Sequence, residues 1–214
     1  MKELKVWCDS RGISISDKQL RDFETYKKNL LDWNQRMNLT AITDDEGVWQ
    51  KHFADSLTLL SLLPEGDVKL IDVGSGAGFP GLPLKIMRPD ISLTLLDSLR
   101  KRIFFLEDTV RLLQMDDVDC VHARAEDFQK VSGCRYDVCV SRAVARLDKL
   151  SAWCLPFVRV GGVFLAMKGP DVEGEVKEAL PGIEKLGGGV VDVRHVEIVE
   201  GMVHSIVVVE KKSL

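Results

Sequence analysis

A glycine-rich segment contains the residues that point most directly to ligand binding. The predicted strand of residues 68–73 runs into residues 72–81, DVGSGAGFPG, of which residues 76–81 match the dinucleotide-binding pattern G-x-G-x-x-G. Glycines let the chain turn tightly and bring its backbone close to a bound molecule. A plain strand-to-helix turn capped by Asp72 is the structural alternative. The segment predicts a ligand site at the end of this strand.

An acidic residue follows the glycines at the position of a ribose-binding group. Asp97 ends the next predicted strand, 19 residues after Gly78, where its carboxylate can accept hydrogen bonds from both hydroxyls of an adenosine ribose. NAD and S-adenosylmethionine both carry that ribose, but NAD places a pyrophosphate near the glycines. Asp72 disfavours a pyrophosphate there and favours an ammonium or sulfonium group. The residues therefore favour S-adenosylmethionine, with NAD as the alternative cofactor.

The elements that must position these residues begin with helices. Ser16 and Gln19 form a predicted capping box at the start of a helix whose apolar residues recur at steps of three and four through Met37. A second helix is predicted over residues 46–63, ending at Pro64. We therefore expect residues 1–64 to form a helical extension packed on the remaining domain, residues 65–214.

From residue 68 onward, short apolar runs alternate with helix-length polar segments, which predicts an α/β fold with a buried parallel sheet. The predicted strands are residues 68–73, 91–96, 118–121, 136–140 and 162–167, and the predicted helices are residues 82–88, 99–113, 148–158 and 171–186. Two last strands, residues 190–199 and 202–210, are expected to form an antiparallel hairpin at the sheet edge. That hairpin is typical of methyltransferases rather than dehydrogenases.

Composition excludes several classes of protein. The chain has 214 residues and is 45% hydrophobic, as expected for a globular protein. Its apolar runs are far shorter than the ~20 residues that a membrane span needs, and charges near Met1 argue against a signal peptide, so we expect a cytoplasmic protein. The cysteines and histidines lack the spacing of a zinc site, and no metal is predicted. The cysteines are Cys8, Cys120, Cys134, Cys139 and Cys154.

The net charge of −4 at first argues against a nucleic-acid partner. Its distribution removes that objection, because residues 170–214 contain five basic and nine acidic side chains, net −4, whereas residues 65–169 contain 15 and 14, net +1. The acidity therefore lies outside the predicted ligand-binding part of the chain. A small basic rim there is compatible with recognition of one exposed RNA base.

Several blocks of the chain, in order, resemble the bacterial small-subunit ribosomal RNA guanine-N7 methyltransferases, also called the glucose-inhibited division protein B family. The blocks are WNQRMNLT (residues 33–40), HFADS (52–56), DVGSGAGFPGLPL (72–84), LDSLRKR (96–102), ARAED (123–127), VSRA (140–143) and KG (168–169). The resemblance implies a class I, Rossmann-like methyltransferase with a mainly parallel seven-stranded sheet. The implied cofactor is S-adenosylmethionine, and the implied substrate is N7 of one guanine in 16S ribosomal RNA (nucleotide 527 in the usual bacterial numbering).

The resemblance also implies which residues form the sites. We expect cofactor contacts from the glycine loop, the ends of the second and fourth strands, and the segment after the third strand. The residues are Gly74, Gly76, Gly78, Phe79, Asp97, Ser98, Ala125, Glu126 and Arg142. An NAD-dependent oxidoreductase, or an inactive nucleotide- or RNA-binding module, is the alternative function.

Guanine N7 is a free acceptor with no proton to remove, so catalysis by positioning is expected. Arg142 and Lys168 lie at strand ends, where open α/β sheets bind ligands, and are the candidate catalytic residues. Arg142 can donate to guanine O6, and its structural alternative is an ordinary salt bridge. Lys168 can contact RNA, and its structural alternative is a solvated lysine.

A further set of polar residues is expected to contact RNA. For Asn38, His52, Asp55 and Ser56, helical spacing fits a cleft beside the sheet, and helix capping or helix-to-helix hydrogen bonding is the alternative. Lys101 and Arg102 follow Asp97 closely and can contact phosphate, and a solvated first turn of a helix is their alternative. The set is Asn38, His52, Asp55, Ser56, Lys101 and Arg102. We expect a monomer whose partner is 16S ribosomal RNA or the small ribosomal subunit, with no membrane partner.

Overall fold

The computed structural model describes residues 1–133, 135–142 and 144–214. Cys134 and Ala143, the latter at the end of one family-like block, lie outside the described residues. No helix in the described ranges combines the length and apolar character that crossing a membrane requires.

A mixed seven-stranded sheet forms the centre of the fold. Its strands are β1 (Lys69–Val73), β2 (Ser92–Asp97), β3 (Val118–His122), β4 (Tyr136–Arg142), β5 (Val158–Lys168), β6 (Gly188–Val199) and β7 (Met202–Lys211). The order across the sheet is β3-β2-β1-β4-β5-β7-β6, with β1 to β5 parallel and β7 antiparallel to both of its neighbours. The predicted parallel sheet and C-terminal hairpin are therefore confirmed.

Helices cover both faces of the sheet, so its strands are rich in buried Val, Leu and Ile. They are α1 (Lys2–Ser10), α2 (Asp17–Met37), α3 (Asp45–Val48), α4 (Asp55–Leu57), α5 (Gly81–Met87), α6 (Arg100–Leu112), α7 (Ala125–Ser132), α8 (Leu147–Cys154) and α9 (Glu173–Lys185). One apolar core joins α1, α2, α5 and α6 to one face, and a second joins α8 and α9 to the other. The α7 helix was not predicted, because its apolar stripe is short.

The predicted capping box of α2 is confirmed. Ser16 Oγ accepts from the backbone N–H of Gln19 at 3.2 Å, and Gln19 Oε1 accepts from the backbone N–H of Ser16 at 2.8 Å. Phe23 and Tyr26 of this helix are fully buried in the core that includes α5 and α6. The N-terminal segment therefore packs on the sheet domain, although the boundary at residue 64 stays a prediction.

The prediction of one continuous helix over residues 46–63 is wrong. The segment instead consists of α3, a π-helical turn (Trp49–Ala54), α4 and a 3₁₀ turn (Leu60–Leu62). Side-chain hydroxyls compete for its main-chain carbonyls, since Ser56 donates to the carbonyl of His52 and Thr58 to that of Asp55, both at 2.6 Å. The carbonyl of Lys51 accepts from the side chain of Arg142 at 2.9 Å. The π-helical turn therefore coincides with the part of the segment that faces the end of β4.

Candidate active site

A cavity of about 590 Å³ opens at the carboxyl ends of β1, β2 and β4, which is where open α/β sheets bind ligands. Its volume lies within the range of small-molecule sites. It is lined by Leu39, Thr40, His52, Val73, Gly74, Ser75, Gly76, Ala77, Phe79, Leu96, Asp97, Ser98, Arg102, Ala123, Arg124, Ala125, Glu126, Arg142, Val144 and Trp153. Most residues of the predicted cofactor set are thus gathered around one cavity.

The glycine loop forms the floor of this cavity. Gly74 and Gly76 have φ of 75° and 59°, a region that favours glycine. A Cβ atom on Gly74 would lie 2.6 Å from Val144 Cγ2, whereas one on Gly76 would meet nothing closer than 3.9 Å. Gly74 therefore allows close packing of the segment after β4, and Gly76 leaves open space beside the loop.

The carboxylate of Asp97 lies at the edge of the loop. Its Oδ2 accepts from the backbone N–H of Gly76 at 2.9 Å and from Arg102 Nη1 at 3.2 Å, and its Oδ1 accepts from the backbone N–H of Leu99 at 2.8 Å. A carboxylate has about four acceptor positions. Three of those of Asp97 are used, one of them by Arg102, so one acceptor position remains open. Arg102, predicted to contact RNA, therefore pairs with the predicted ribose acceptor inside the cavity.

Gly78 and Phe79 have different positions in the loop. Gly78 does not line the cavity, and a Cβ there would lie 2.5 Å from Leu82 Cδ1 and 2.7 Å from the Tyr26 hydroxyl. Its role is close packing of α2 and α5 against the loop, so the prediction that Gly78 contacts a cofactor does not agree with its position. Phe79 does line the cavity, and its ring stacks on that of His52, with 4.4 Å between the ring centroids.

Asp72 does not face the cavity, contrary to our expectation. Its buried carboxylate lies beneath the loop, where Oδ2 accepts from the backbone N–H of Gly81 at 2.8 Å at the start of α5. Oδ1 has no hydrogen-bond partner in the described part of the chain. Burial raises the pKa of Asp72 from its ordinary value of 3.8 to about 7, although the Gly81 bond and the charge of Arg142 oppose that rise.

We expect Asp72→Asn to stabilise the protein increasingly as the pH rises from about 4 to about 8. Wild-type Asp72 is protonated when folded but ionises when unfolded over this interval, so the wild type loses stability that the asparagine variant retains. The difference corresponds to about 4 kcal/mol for a rise of about three pKa units. Urea unfolding at both ends of this interval measures it. A difference in unfolding free energy that does not change with pH would contradict the assignment.

Arg142, at the end of β4, is held by the N-terminal segment. Its Nη1 donates to Asp55 Oδ2 at 2.7 Å and to the carbonyl of Lys51 at 2.9 Å, and its Nη2 lies 3.1 Å from His52 Nδ1. The guanidinium carbon lies 4.9 Å from the centroid of the Phe79 ring. Within the described residues, Nε and the second N–H of Nη2 have no protein acceptor. Those two N–H groups are therefore available to a ligand.

His52 is a neutral partner of this arginine. Burial and, to a smaller extent, the positive charge of Arg142 lower its pKa from 6.5 to about 4. His52 Nδ1 lies 3.1 Å from Arg142 Nη2 and 3.1 Å from the carbonyl of Lys51, and His52 Nε2 lies 2.9 Å from Thr40 Oγ1. Because an arginine only donates, the tautomer that pairs with Arg142 accepts at Nδ1 and donates from Nε2–H to Thr40. His52 thus links Arg142 to the segment after α2.

Several residues predicted to contact RNA or to act in catalysis lie elsewhere. Ser56 is fully buried, and the exposure of the Asp55 side chain is only 10%, so direct RNA contact does not agree with their positions. Lys168 lies outside the cavity lining, where its ammonium donates to the carbonyl of Ala145 and pairs with Glu175, both at 2.7 Å. Asn38 and Lys101 are exposed and are next in sequence to the lining residues Leu39 and Arg102, and Lys101 donates to the carbonyl of Met37 at 3.2 Å.

Other residues of the site were missed. Thr40, Val144 and Trp153 line the cavity, and His204 of β7 contacts Asp55 behind Arg142. Thr40 was within a family-like block, so the sequence contained a signal for it. His204 had none, since only the folded hairpin brings it to the N-terminal segment. No cluster of metal-binding side chains occurs in the described ranges.

Comparison with known proteins identifies close relatives. A family model described as rRNA small subunit methyltransferase G matches residues 19–203. The ribosomal RNA small subunit methyltransferase G of Clostridium botulinum (strain Loch Maree / Type A3) is 46% identical over 212 residues, covering 97% of this chain and 89% of that protein. The protein of the same name from Clostridium kluyveri is 47% identical over 207 residues, covering 95% and 87%.

Among solved structures, the precorrin-6y C5,15-methyltransferase of Geobacter metallireducens has a similar fold. Its TM-score is 0.55 at 16% identity, and the match covers 74% of this chain and 87% of that chain. At this identity the likeness concerns the fold alone. Together with the order of the strands, it confirms the expected Rossmann-like methyltransferase fold.

Proposed function

The chain belongs to the family of rRNA small subunit methyltransferase G, and from that membership we propose that it transfers a methyl group from S-adenosylmethionine to N7 of a guanine in 16S ribosomal RNA. The observation that supports this most strongly is the position of Arg142. Its guanidinium lies beside the cavity at the carboxyl end of β4, with two N–H groups directed to no acceptor in the described part of the chain.

The cavity fits an adenosine-containing methyl donor. Asp97 retains an acceptor position for a ribose hydroxyl, and a second becomes available when Arg102 is displaced. We assign the adenine to the surface of Ser98, Ala125 and Glu126, and the amino-acid end of the donor to the loop at Gly74 and Gly76. These residues all line the cavity. When bound, the donor supplies a methyl group on a positively charged sulfur.

The same loop argues against a dinucleotide. A pyrophosphate normally binds backbone N–H groups of the glycine loop and the following helix. Here the N–H of Gly76 donates to Asp97, that of Gly81 donates to Asp72, and those of Gly74 and Ser75 donate to the carbonyl of Leu96. Carboxylates therefore occupy two of the positions that a pyrophosphate would need.

Arg142 orients and stabilises the guanine in this reaction. The N7 lone pair forms the new bond to the methyl carbon as the carbon–sulfur bond breaks, with its electron pair going to sulfur. Since N7 must stay free to react, the two available N–H groups of Arg142 donate to guanine O6 and hold N7 in line with the methyl carbon. Guanine N7 has no proton to remove, so the reaction needs no base, and His52, whose pKa is lowered to about 4, lies against Arg142 instead.

Exposed basic and polar residues around the cavity bind the RNA in this proposal. Lys101 and Asn38 are exposed and each is next in sequence to a residue that lines the cavity, and the exposed Arg124 lines the cavity itself. These side chains contact phosphate or sugar groups and give a modest, salt-sensitive affinity. We place the enzyme in the cytoplasm with its ribosomal substrate and retain residues 1–64 as its helical extension.

The decisive experiment is methyl transfer to 16S RNA. The protein is incubated with S-adenosylmethionine carrying a labelled methyl group and small ribosomal subunits from a strain without this activity, and the methylated nucleotide is mapped by chemical cleavage at N7-methylguanosine. We expect one labelled guanine, and calorimetry should detect binding of S-adenosylhomocysteine but not of NAD. Absence of transfer at every salt concentration, with S-adenosylhomocysteine and RNA still bound, would favour an inactive binding module.

A further inference from the structure

A buried carboxylate connects Arg142 to a histidine of the C-terminal hairpin. Asp55 Oδ2 accepts from Arg142 Nη1 at 2.7 Å, and Asp55 Oδ1 accepts from His204 Nδ1. The second ring nitrogen of His204 lies 3.3 Å from Thr58 Oγ1. The side chains of Asp55 and His204 are each only 10% exposed. Neither can therefore bind RNA directly, and the cavity lining includes neither of them.

We infer that Asp55 and His204 are positioning residues that hold Arg142 in the orientation required for methyl transfer. This inference rests on the proposed function, because it gives both residues a role in that reaction. Both N–H groups of Nη1 are used by Asp55 and the carbonyl of Lys51, which fixes one edge of the guanidinium plane. The remaining N–H groups, on Nε and Nη2, belong to a side chain that lines the cavity.

His204 acts one step further from the cavity. A carboxylate that accepts through only one oxygen can rotate about its Cβ–Cγ bond and carry its partner with it. The contact of His204 with Asp55 Oδ1 removes that freedom. Because His204 lies on β7, whose backbone is fixed between β5 and β6, the rigid sheet limits the movement of Asp55.

The C-terminal hairpin contributes no side chain to the cavity lining, and this arrangement assigns it a function. In this arrangement the residues that position Arg142 are different from the residues that bind the cofactor. Asp97 and the glycine loop make no hydrogen bond to Asp55 or His204 among the described residues, so loss of His204 leaves the donor site intact. A displacement of a reacting group by about 1 Å can lower a rate by about 100-fold.

His204→Ala is the first test. We expect kcat for methyl transfer to fall by about 30- to 100-fold, with the dissociation constant for S-adenosylhomocysteine and the KM for RNA changed less than about twofold. His195→Ala is the matched control, because His195 lies on the neighbouring strand β6 with its Nε2 3.0 Å from the carboxylate of Glu173 but does not contact Asp55 or Arg142. The control should retain wild-type kcat.

A double-mutant cycle distinguishes positioning from a general structural role. In the Arg142→Ala background, His204→Ala should cause no further loss of rate, because the residue through which it acts is already absent. An additive loss would overturn the inference, as would wild-type kcat in His204→Ala. If His204→Ala does not fold, His204→Asn takes its place in the cycle, and Asp55→Asn, which keeps one carbonyl acceptor, should lower kcat less than Asp55→Ala.

A readout without turnover tests the inference even if the proposed reaction is not observed. In ¹⁵N-arginine-labelled protein, restrained rotation about Cζ–Nη1 and Cζ–Nη2 should give Arg142 separate Nη resonances, which Arg142→Lys identifies by their loss. We expect these resonances to merge in His204→Ala but not in His195→Ala. Unchanged resonances in His204→Ala would overturn the inference, whereas absence of methyl transfer by the wild type would instead overturn the proposed function.

Discussion

Replacement of Arg142 by lysine is expected to slow methyl transfer by about 100-fold, with cofactor affinity changed less than about threefold. Lysine keeps the positive charge, so the variant changes the hydrogen-bonding geometry of the side chain and not its charge. One ammonium group cannot contact Asp55, the carbonyl of Lys51 and His52 Nδ1 and also donate to guanine O6. Single-turnover rates at saturating donor and RNA measure the chemical step, and titration with S-adenosylhomocysteine measures cofactor affinity.

The control for this change is Arg146→Lys. Arg146 follows the same strand but is exposed, pairs with Glu178 and does not line the cavity, so its replacement should leave the rate unchanged. Two outcomes would contradict the role proposed for Arg142. An unchanged rate in Arg142→Lys would make the residue structural, and a large loss of cofactor affinity with an unchanged saturated rate would make it a cofactor-binding residue only.

The sheet and the loop could be predicted from sequence because their signals are local. Alternating strands and helices specify a parallel sheet, and parallel strands bring their carboxyl ends to one edge. That rule alone places Asp97 and Arg142 near each other, as the cavity lining bears out. The glycine pattern similarly indicates left-handed backbone positions, which Gly74, Gly76 and Gly78 adopt.

The direction of Asp72 and the partners of Asp55 could not be predicted, because both depend on tertiary structure. Neighbouring residues of a strand face opposite sides of a sheet. Which residue at the end of β1 faces the ligand therefore depends on which face of the sheet each helix covers. Asp72 turns to the start of α5 instead. His204 is 149 positions from Asp55 along the chain, and no periodic pattern relates residues at that distance.

The broken helix over residues 46–63 has a similar explanation. Its composition favours a helix, but the carbonyl of Lys51 accepts from Arg142, and the hydroxyls of Ser56 and Thr58 bond to main-chain carbonyls. One tertiary hydrogen bond and two local side-chain hydrogen bonds therefore accompany the change from α-helical to π-helical and 3₁₀ geometry. Such breaks are frequent where a segment contributes to a functional site, and this one carries both His52 and Asp55.

Asp97→Ala is expected to weaken binding of S-adenosylhomocysteine by about 10- to 100-fold, since hydrogen bonds to a charged group contribute about 1.5–3 kcal/mol. The same change removes the acceptor for the backbone N–H groups of Gly76 and Leu99. Part of the loss could therefore come from the loop rather than from the ribose. Calorimetric titration with 2′-deoxy- and 3′-deoxyadenosine analogues of the ligand separates the two contributions.

If Asp97 accepts from the ribose hydroxyls, removal of one hydroxyl should weaken binding to the wild type but not to Asp97→Ala. Arg102→Ala provides an opposite test, because Arg102 competes with the ribose for Asp97 Oδ2; its loss should maintain or increase affinity. Asp119 is an exposed carboxylate on the neighbouring strand β3. Its replacement by alanine should leave the affinity for S-adenosylhomocysteine unchanged. Equal sensitivity of wild type and Asp97→Ala to the deoxy analogues would show that Asp97 supports the loop and that another group binds the ribose.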